Sequence, residues 1–187
     1  TLPRFYTPAL EALHGEDLEA SFEWCRVDGR SEFSAFGSGK SLGYDSLLIQ
    51  NIDVVVNGDL KSASYWLSAQ TESETPIVAN GRVPLNANDA MHSNVFFESI
   101  PLGWLNTWMP PQSVSWSGEV SGELAIEGTP ARPMIEGFIA SDSAEVFVDY
   151  LGSSYRLKGE CTVEPDEFFL DQWEALDSEG HTARING

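Results

Sequence analysis

The chain has 187 residues, 42% of them hydrophobic, with six tryptophans and a formal net charge of −19. That length suits one domain or one piece of a larger protein, and the composition excludes a disordered chain. The acidic balance argues against nucleic-acid binding and against electrostatic docking on anionic lipid, because both present phosphates that would be repelled.

No apolar run is long enough for a transmembrane helix. Thr1-Leu2-Pro3-Arg4 lacks the signal-peptide pattern, as expected of a mature secreted protein or an excised fragment. Two cysteines, Cys25 and Cys161, are too few for a disulfide framework and leave the redox compartment open.

Residues 7–15 predict one short helix, with Thr7 as N-cap, Pro8 at the first helical position and Gly15 as the stop. Leu18, Ala20, Phe22 and Trp24 then alternate with Asp17, Glu19, Ser21 and Glu23, which predicts a strand. Asp28-Gly29 signals a hairpin, with Phe33 and Ala35 on the return strand. Residues 37–43 are rich in glycine and serine and predict a loop or bulge. Leu48, Gln50, Ile52, Val54 and Val56 form one face of the next strand, and Asn57-Gly58-Asp59 predicts the turn after it.

Residues 63–69 return, and residues 72–76 predict a polar loop. Ile77, Ala79, Gly81, Val83 and Leu85 alternate with Val78, Asn80, Arg82 and Pro84. A turn at 86–89 precedes a strand at 91–97. Residues 100–111 break the period of two. Leu102, Leu105 and Met109 are spaced like one face of a helical turn, as a core plug or a cap over an apolar interior would be.

Residues 118–187 are the most regular part. From Gly118 to Pro130, even positions are apolar or glycine and odd positions are mostly charged or polar. The same pattern recurs at Tyr155, Leu157, Gly159, Cys161 and Val163, and at His181, Ala183, Ile185 and Gly187. In a strand such alternation gives one apolar and one wet face. About a dozen short strands with short connections predict an antiparallel, all-β chain with little helix. Its apolar face needs covering by a second sheet, by curling of the sheet on itself, or by a ligand.

No residue pattern points to catalysis. Gly37-Ser38-Gly39-Lys40-Ser41 ends like a phosphate-binding loop, but Ser34 stands where the pattern needs glycine and no helix follows, so no nucleotide is expected. His14, His92 and His181 have no metal-ligand partner at useful spacing. No serine sits in a nucleophile elbow. Asn86, Asn88 and Asp89 lack a full calcium ligand set. With 29 acidic residues, any one carboxylate pair carries little information, although a β-sandwich glycosidase built on such a pair stays open.

A specific order of glycines marks residues 118–187. Gly118, Gly122, Gly128-Thr129, Pro133 and Gly137 are followed by Val146-Phe147-Val148-Asp149-Tyr150-Leu151-Gly152. Tyr155-x-Leu157-x-Gly159 comes next, and the close is Asp177-Ser178-Glu179-Gly180-His181-Thr182-Ala183-Arg184-Ile185-Asn186-Gly187. This order resembles the TamB family of translocation and assembly module proteins, within the broader AsmA-like group. Asn80-Gly81-Arg82-Val83-Pro84-Leu85 and the segment 102–110 also fit. The likeness is good over 118–187, fair over 45–117 and weak before residue 45.

The resemblance implies a β-taco, a long curled sheet open along one side with a hydrophobic groove. It implies residence in the periplasm of a Gram-negative bacterium, as part of a longer protein anchored in the inner membrane. It also implies partnership with a TamA-like Omp85 outer-membrane barrel, and a role in autotransporter assembly and lipid transport in outer-membrane biogenesis. Residues 1–187 would be one β-rich segment of that protein, without the anchor.

The expected function is therefore a non-catalytic conduit, with no cofactor, for phospholipid or an unfolded outer-membrane protein. The expected groove lining is Ile52, Val54, Ile77, Val83, Leu85, Val120, Leu124, Ile126, Ile135, Ile139, Val146, Val148, Tyr155, Leu157, Val163 and Ile185. Gly122, Gly128 and Gly159 would permit the curvature. The rivals are a closed β-sandwich, a rigid periplasm-spanning spacer, and a β-sandwich carbohydrate-active module. Cys25 and Cys161, roughly ten strands apart, are expected to stay unbonded.

Overall fold

The computed structural model describes residues 13–44, 47–108 and 113–187. These form thirteen strands: β1 Leu13–Glu16, β2 Glu19–Val27, β3 Arg30–Tyr44, β4 Leu47–Asp59, β5 Ser62–Thr71, β6 Pro76–Pro84, β7 Met91–Pro101, β8 Val114–Ser117, β9 Glu119–Thr129, β10 Arg132–Val148, β11 Ser153–Glu164, β12 Glu167–Asp177 and β13 Thr182–Ile185. A 3-10 helix, Leu102–Trp108, lies between β7 and β8. All the strands belong to one antiparallel sheet, a meander in which sequence neighbours are mostly spatial neighbours. β1 and β2 share one edge of β3, each pairing with a different stretch of it. β8 and β9 divide one edge of β10 in the same way, broken at Gly118, whose φ is 84°.

Local chemistry sets the hairpins. Asp28 and Gly29 both have positive φ, 49° and 79°, as a two-residue turn matched to strand twist requires. Asp59 Oδ1 accepts from the N–H groups of Lys61 and Ser62 at 2.7 and 2.9 Å, which closes the β4–β5 turn. This turn lies beyond the predicted Asn57-Gly58-Asp59, because β4 continues through those residues and its register holds to Gly58, opposite Ala63.

Two other expectations change. Residues 37–43 are continuous strand, not loop. Gly37 and Gly39 lie opposite Val54 and Ile52 in the ladder, and a Cβ at position 39 would come within 2.6 Å of the Leu18 Cδ2. Residues 13–15, the expected end of a helix, lie in β1, and the rest of that predicted helix lies outside the described residues.

One face runs unbroken across the sheet. Val54 lies opposite Leu67, Leu67 opposite Ala79, Ala79 opposite Val95, and Val95 opposite Leu124. Leu124 lies opposite Gly137, and Gly137 opposite Val163. A parallel row passes through Ile77, Phe97, Gly122, Ile139, Cys161 and Leu170. Residues directly opposite each other share a face, so the alternation read from the sequence becomes a continuous apolar surface.

That surface is creased. Register shifts fall between Gln50 and Asp53, Phe97 and Ile100, Ser141 and Ala144, and Lys158 and Glu160. These shifts lie beside the row through Phe97, Ile139 and Cys161, so they form a line across the strands. Asn51, Ser99 and Gln172 in this zone take positive φ of 49°, 53° and 48°. A bulge bends its strand. Bulges at one level bend neighbouring strands together and fold the sheet into a trough along its hydrogen-bonding direction.

Side-chain size follows the trough. Most of its buried residues are small, among them Ala69 and Thr71 on β5, Gly122 on β9, Ser141 and Ala144 on β10 and Cys161 on β11, with Val163 on β11 the larger exception. Larger apolar residues on the flanking walls, among them Val54, Leu67, Ile77, Val95, Leu124 and Ile139, are only half-buried. Among the described residues, substantial contacts join hydrogen-bonded neighbour strands, or the 3-10 helix and β8. No second layer packs on the apolar face among the described residues, so they do not form the closed β-sandwich considered from sequence. The chain is all-β, with one open, curled antiparallel sheet.

Candidate functional site

The candidate site is the concave face of this trough. Of the expected lining, Ile52 and Val54 come from β4, Ile77 and Val83 from β6, and Val120, Leu124 and Ile126 from β9. Ile135, Ile139, Val146 and Val148 come from β10, Tyr155, Leu157 and Val163 from β11, and Ile185 from β13. The shift between Ser141 and Ala144 keeps β10 in phase. Ser141 faces Gly159, and Ala144 and Val146 face Leu157 and Tyr155, two and four residues along β11. Val146 and Val148 therefore stay on the face of Ile139. Ile185 lies opposite Trp173.

Leu85 departs from the expectation. It lies beyond the end of β6 and is 60% exposed, because the strand stops at Pro84 and the Leu85 N–H bonds the Lys61 carbonyl outside the ladder. Gly122 and Gly159 sit at the crease, as curvature requires. Gly128, with φ of 89°, sits instead at the β9–β10 turn.

The expected lining omitted several residues that continue the face. Leu67, Val95 and Phe97 extend it across the middle of the sheet. At the β2 end, Phe22, Trp24 and Phe33 form a stacked aromatic group, with ring centroids 6.1 and 6.4 Å from Phe33. Next to them a shallow cleft of about 380 Å³ is lined by Ala20, Phe22, Ala35, Gly37, Val54 and Val56 among others. Phe22 and Trp24 are more than half exposed. Their alternation in β2 was the available signal.

The 3-10 helix lies midway along the strand order, between β7 and β8, where β8 takes over from β9 on the edge of β10. Leu102 is buried, and its N–H bonds the Gly118 carbonyl at 2.8 Å. The Asn106 carboxamide brackets the backbone of Trp116. Its Nδ2 donates to the Trp116 carbonyl at 2.9 Å, and its Oδ1 accepts from the Trp116 N–H at 2.6 Å. Trp116 faces Val146, which faces Tyr155, so Trp116 is on the concave side. The segment 100–111, where the alternation breaks, supplies this helix, which packs on β8. Met109, Pro110 and Pro111 lie outside the described residues.

Most ionic groups lie away from the apolar face. Lys158 Nζ sits 2.8 Å from Asp142 Oδ1 on the exposed side of the bulges, and that carboxylate raises the lysine above its usual range. The outer face is not wholly polar: Phe36, Val55 and Trp66 lie directly opposite one another on it, Val78 lies opposite Phe96, and Phe138 is exposed there as well.

Residues weighed for chemistry are scattered. Lys40 of the glycine-rich segment pairs with Glu16 at 3.2 Å, on a strand. His92 pairs with Glu127, and His181 with Asp177, at different places in the sheet. Asn86, Asn88 and Asp89 bond one another in a polar turn. Among the described residues, no group of three or more His, Cys, Asp or Glu side chains could hold a metal ion. Cys25 is exposed and Cys161 buried, and both thiols are free.

Compared with protein-family models, with curated proteins and with solved structures, the chain matches none.

Proposed function

We propose that this chain is a TamB-like periplasmic segment acting as a non-catalytic hydrophobic conduit. The trough shields phospholipid acyl chains, or strands of an unfolded outer-membrane protein, on the way to the outer membrane. One observation carries the reading. A continuous apolar face with half-buried Val, Ile, Leu and Phe walls crosses a single-layer sheet, with no second layer upon it among the described residues. In an ordinary core these side chains would be fully covered. Here an acyl chain can cover them, at about 0.8 kcal/mol per buried methylene. The sequence likeness over 118–187 supplies the cellular setting: an inner-membrane-anchored protein working with a TamA-like Omp85 barrel.

The test is mass spectrometry of lipids that co-purify with the gently extracted protein. The conduit reading expects phospholipid in amounts comparable with protein, and lipid-dependent protection of the trough residues from exchange. A protein that emerges lipid-free, and takes up neither phospholipid nor an unfolded outer-membrane strand, would instead be a rigid spacer.

A further inference from the structure

We propose that the corner of the trough formed by the 3-10 helix and β8 is a subsite for the ester carbonyl oxygens of a zwitterionic diacyl phospholipid, received by the indole N–H groups of Trp104 and Trp116. The inference rests on the conduit reading and names the ligand chemistry of one part of it.

The Nε1 atoms of Trp104 and Trp116 are both enclosed, and among the described residues neither has a hydrogen-bond partner. Folded proteins pair nearly all buried donors, so two orphans in one corner call for an acceptor. The contrast is Trp173, whose indole N–H donates to the Glu160 carbonyl at 2.7 Å. Trp104 belongs to the 3-10 helix, which packs on β8, and Trp116 belongs to β8. Both thus lie where the apolar concave face of β10 and β11 ends.

Indole N–H is a donor only, so its partner must offer a lone pair. An ester carbonyl does so without a charge, beside an acyl chain suited to the apolar trough. A diacyl lipid carries two such carbonyls for two donors. Tryptophan serves this boundary in membranes, with an apolar body and a polar tip. The net charge of −19 disfavours an anionic headgroup, which selects a zwitterionic one. Both nitrogens are covered, so a lipid carbonyl reaches them only when this corner opens. The two bonds from Asn106 to the Trp116 backbone and the bond from the Leu102 N–H to the Gly118 carbonyl are among the contacts that hold it closed.

The test compares dihexanoyl phosphatidylcholine, below its micelle concentration, with the dialkyl ether analogue that lacks both carbonyls. Binding is measured by titration calorimetry on the wild type and on the Trp104→Phe/Trp116→Phe variant, which keeps the rings and removes the donors. The wild type is expected to favour the ester lipid by roughly five- to thirtyfold, the scale of one or two hydrogen bonds. The variant is expected to bind both lipids alike, near the wild-type affinity for the ether. If circular dichroism shows the double variant unfolded, the single variants carry the same comparison.

Equal wild-type binding of ester and ether overturns the inference and leaves the lipid conduit standing. A preference that persists without the indoles does the same. Binding of an unfolded outer-membrane peptide that falls with the indoles, without any ester preference, assigns the donors to peptide carbonyls and overturns the lipid assignment. Failure of the wild type to bind either lipid overturns this inference and the lipid conduit together.

Discussion

Trp173 lies over Gly159 across the β11–β12 bulge. A Cβ at position 159 would come within 2.7 Å of the Trp173 Cγ and 2.8 Å of its Cδ1. The glycine is there to admit the indole, which covers bare backbone and donates to the next residue's carbonyl at Glu160.

Gly159→Ala should therefore destabilise the fold by about 1–3 kcal/mol through overpacking. In a Trp173→Ala background the same change should cost less, since the indole atoms are gone and only the Cα of residue 173, 3.0 Å away, stays close. Urea denaturation of the four proteins in that cycle measures the coupling. Equal costs in both backgrounds would show that the indole does not set the requirement for glycine.

The two cysteines should differ sharply in reactivity. Cys25 is exposed, whereas Cys161 lies at the crease, where burial pushes its thiol above the ordinary range. A raised value means less thiolate at a given pH, hence slower attack. With a thiol reagent at pH 8, one fast and one slow equivalent are expected, merging into one rate in denaturant. A single fast phase for both thiols would mean that the crease opens freely.

Asp177 organises the β12–β13 turn. Its Oδ1 accepts from the N–H groups of Glu179 and His181 at 2.9 and 2.8 Å. The His181 backbone bond is the largest cause holding its carboxyl below the usual value. A depressed carboxyl stabilises the fold above the unfolded carboxylate range, about 3.9, and loses that contribution as pH falls through the folded value. The amides of Glu179 and His181 should thus lose protection first in an acid titration followed by NMR. Asp177→Asn should weaken that pH dependence. Amides that open at the same pH as the rest of the sheet would contradict this.

The sequence made some of this structure legible and hid the rest for physical reasons. Alternation at Leu124, Ile126, Leu157 and Val163 assigned their common face, because period two leaves a strand no other way to bury them. Asp28-Gly29 announced its turn, because positive φ at both positions favours that pair. The crease was hidden: Asn51, Ser99 and Gln172 take positive φ without glycine, since the flanking ladders impose it. Residues 37–43 read as loop because glycine usually punctuates strands, whereas here they pair along β4 and Gly39 makes room for the Leu18 side chain. The Trp104 and Trp116 subsite was invisible, because an unpaired donor is a property of three-dimensional enclosure and not of spacing.

The trough also separates two kinds of charge substitution. Ile126 faces Ser93 and Ile135 on a wall and is half-buried, and Leu157 is half-buried as well. Val163 faces Gly137 and Phe168 and is only 6% exposed. A charge at Val163, as in Val163→Asp, has no route to water and should cost about 3 kcal/mol or more. A charge in Ile126→Arg or Leu157→Asp can reach solvent through the open side, so these variants should stay folded by circular dichroism and protease resistance. They should nevertheless lose outer-membrane function in cells, because an acyl chain sliding along the wall meets a hydrated charge that it cannot solvate. Variants that fold and still support an intact outer membrane would remove the conduit reading. Variants at 126 and 157 that unfold as readily as the one at 163 would show that the walls serve only as the sheet's own core, which is the spacer reading.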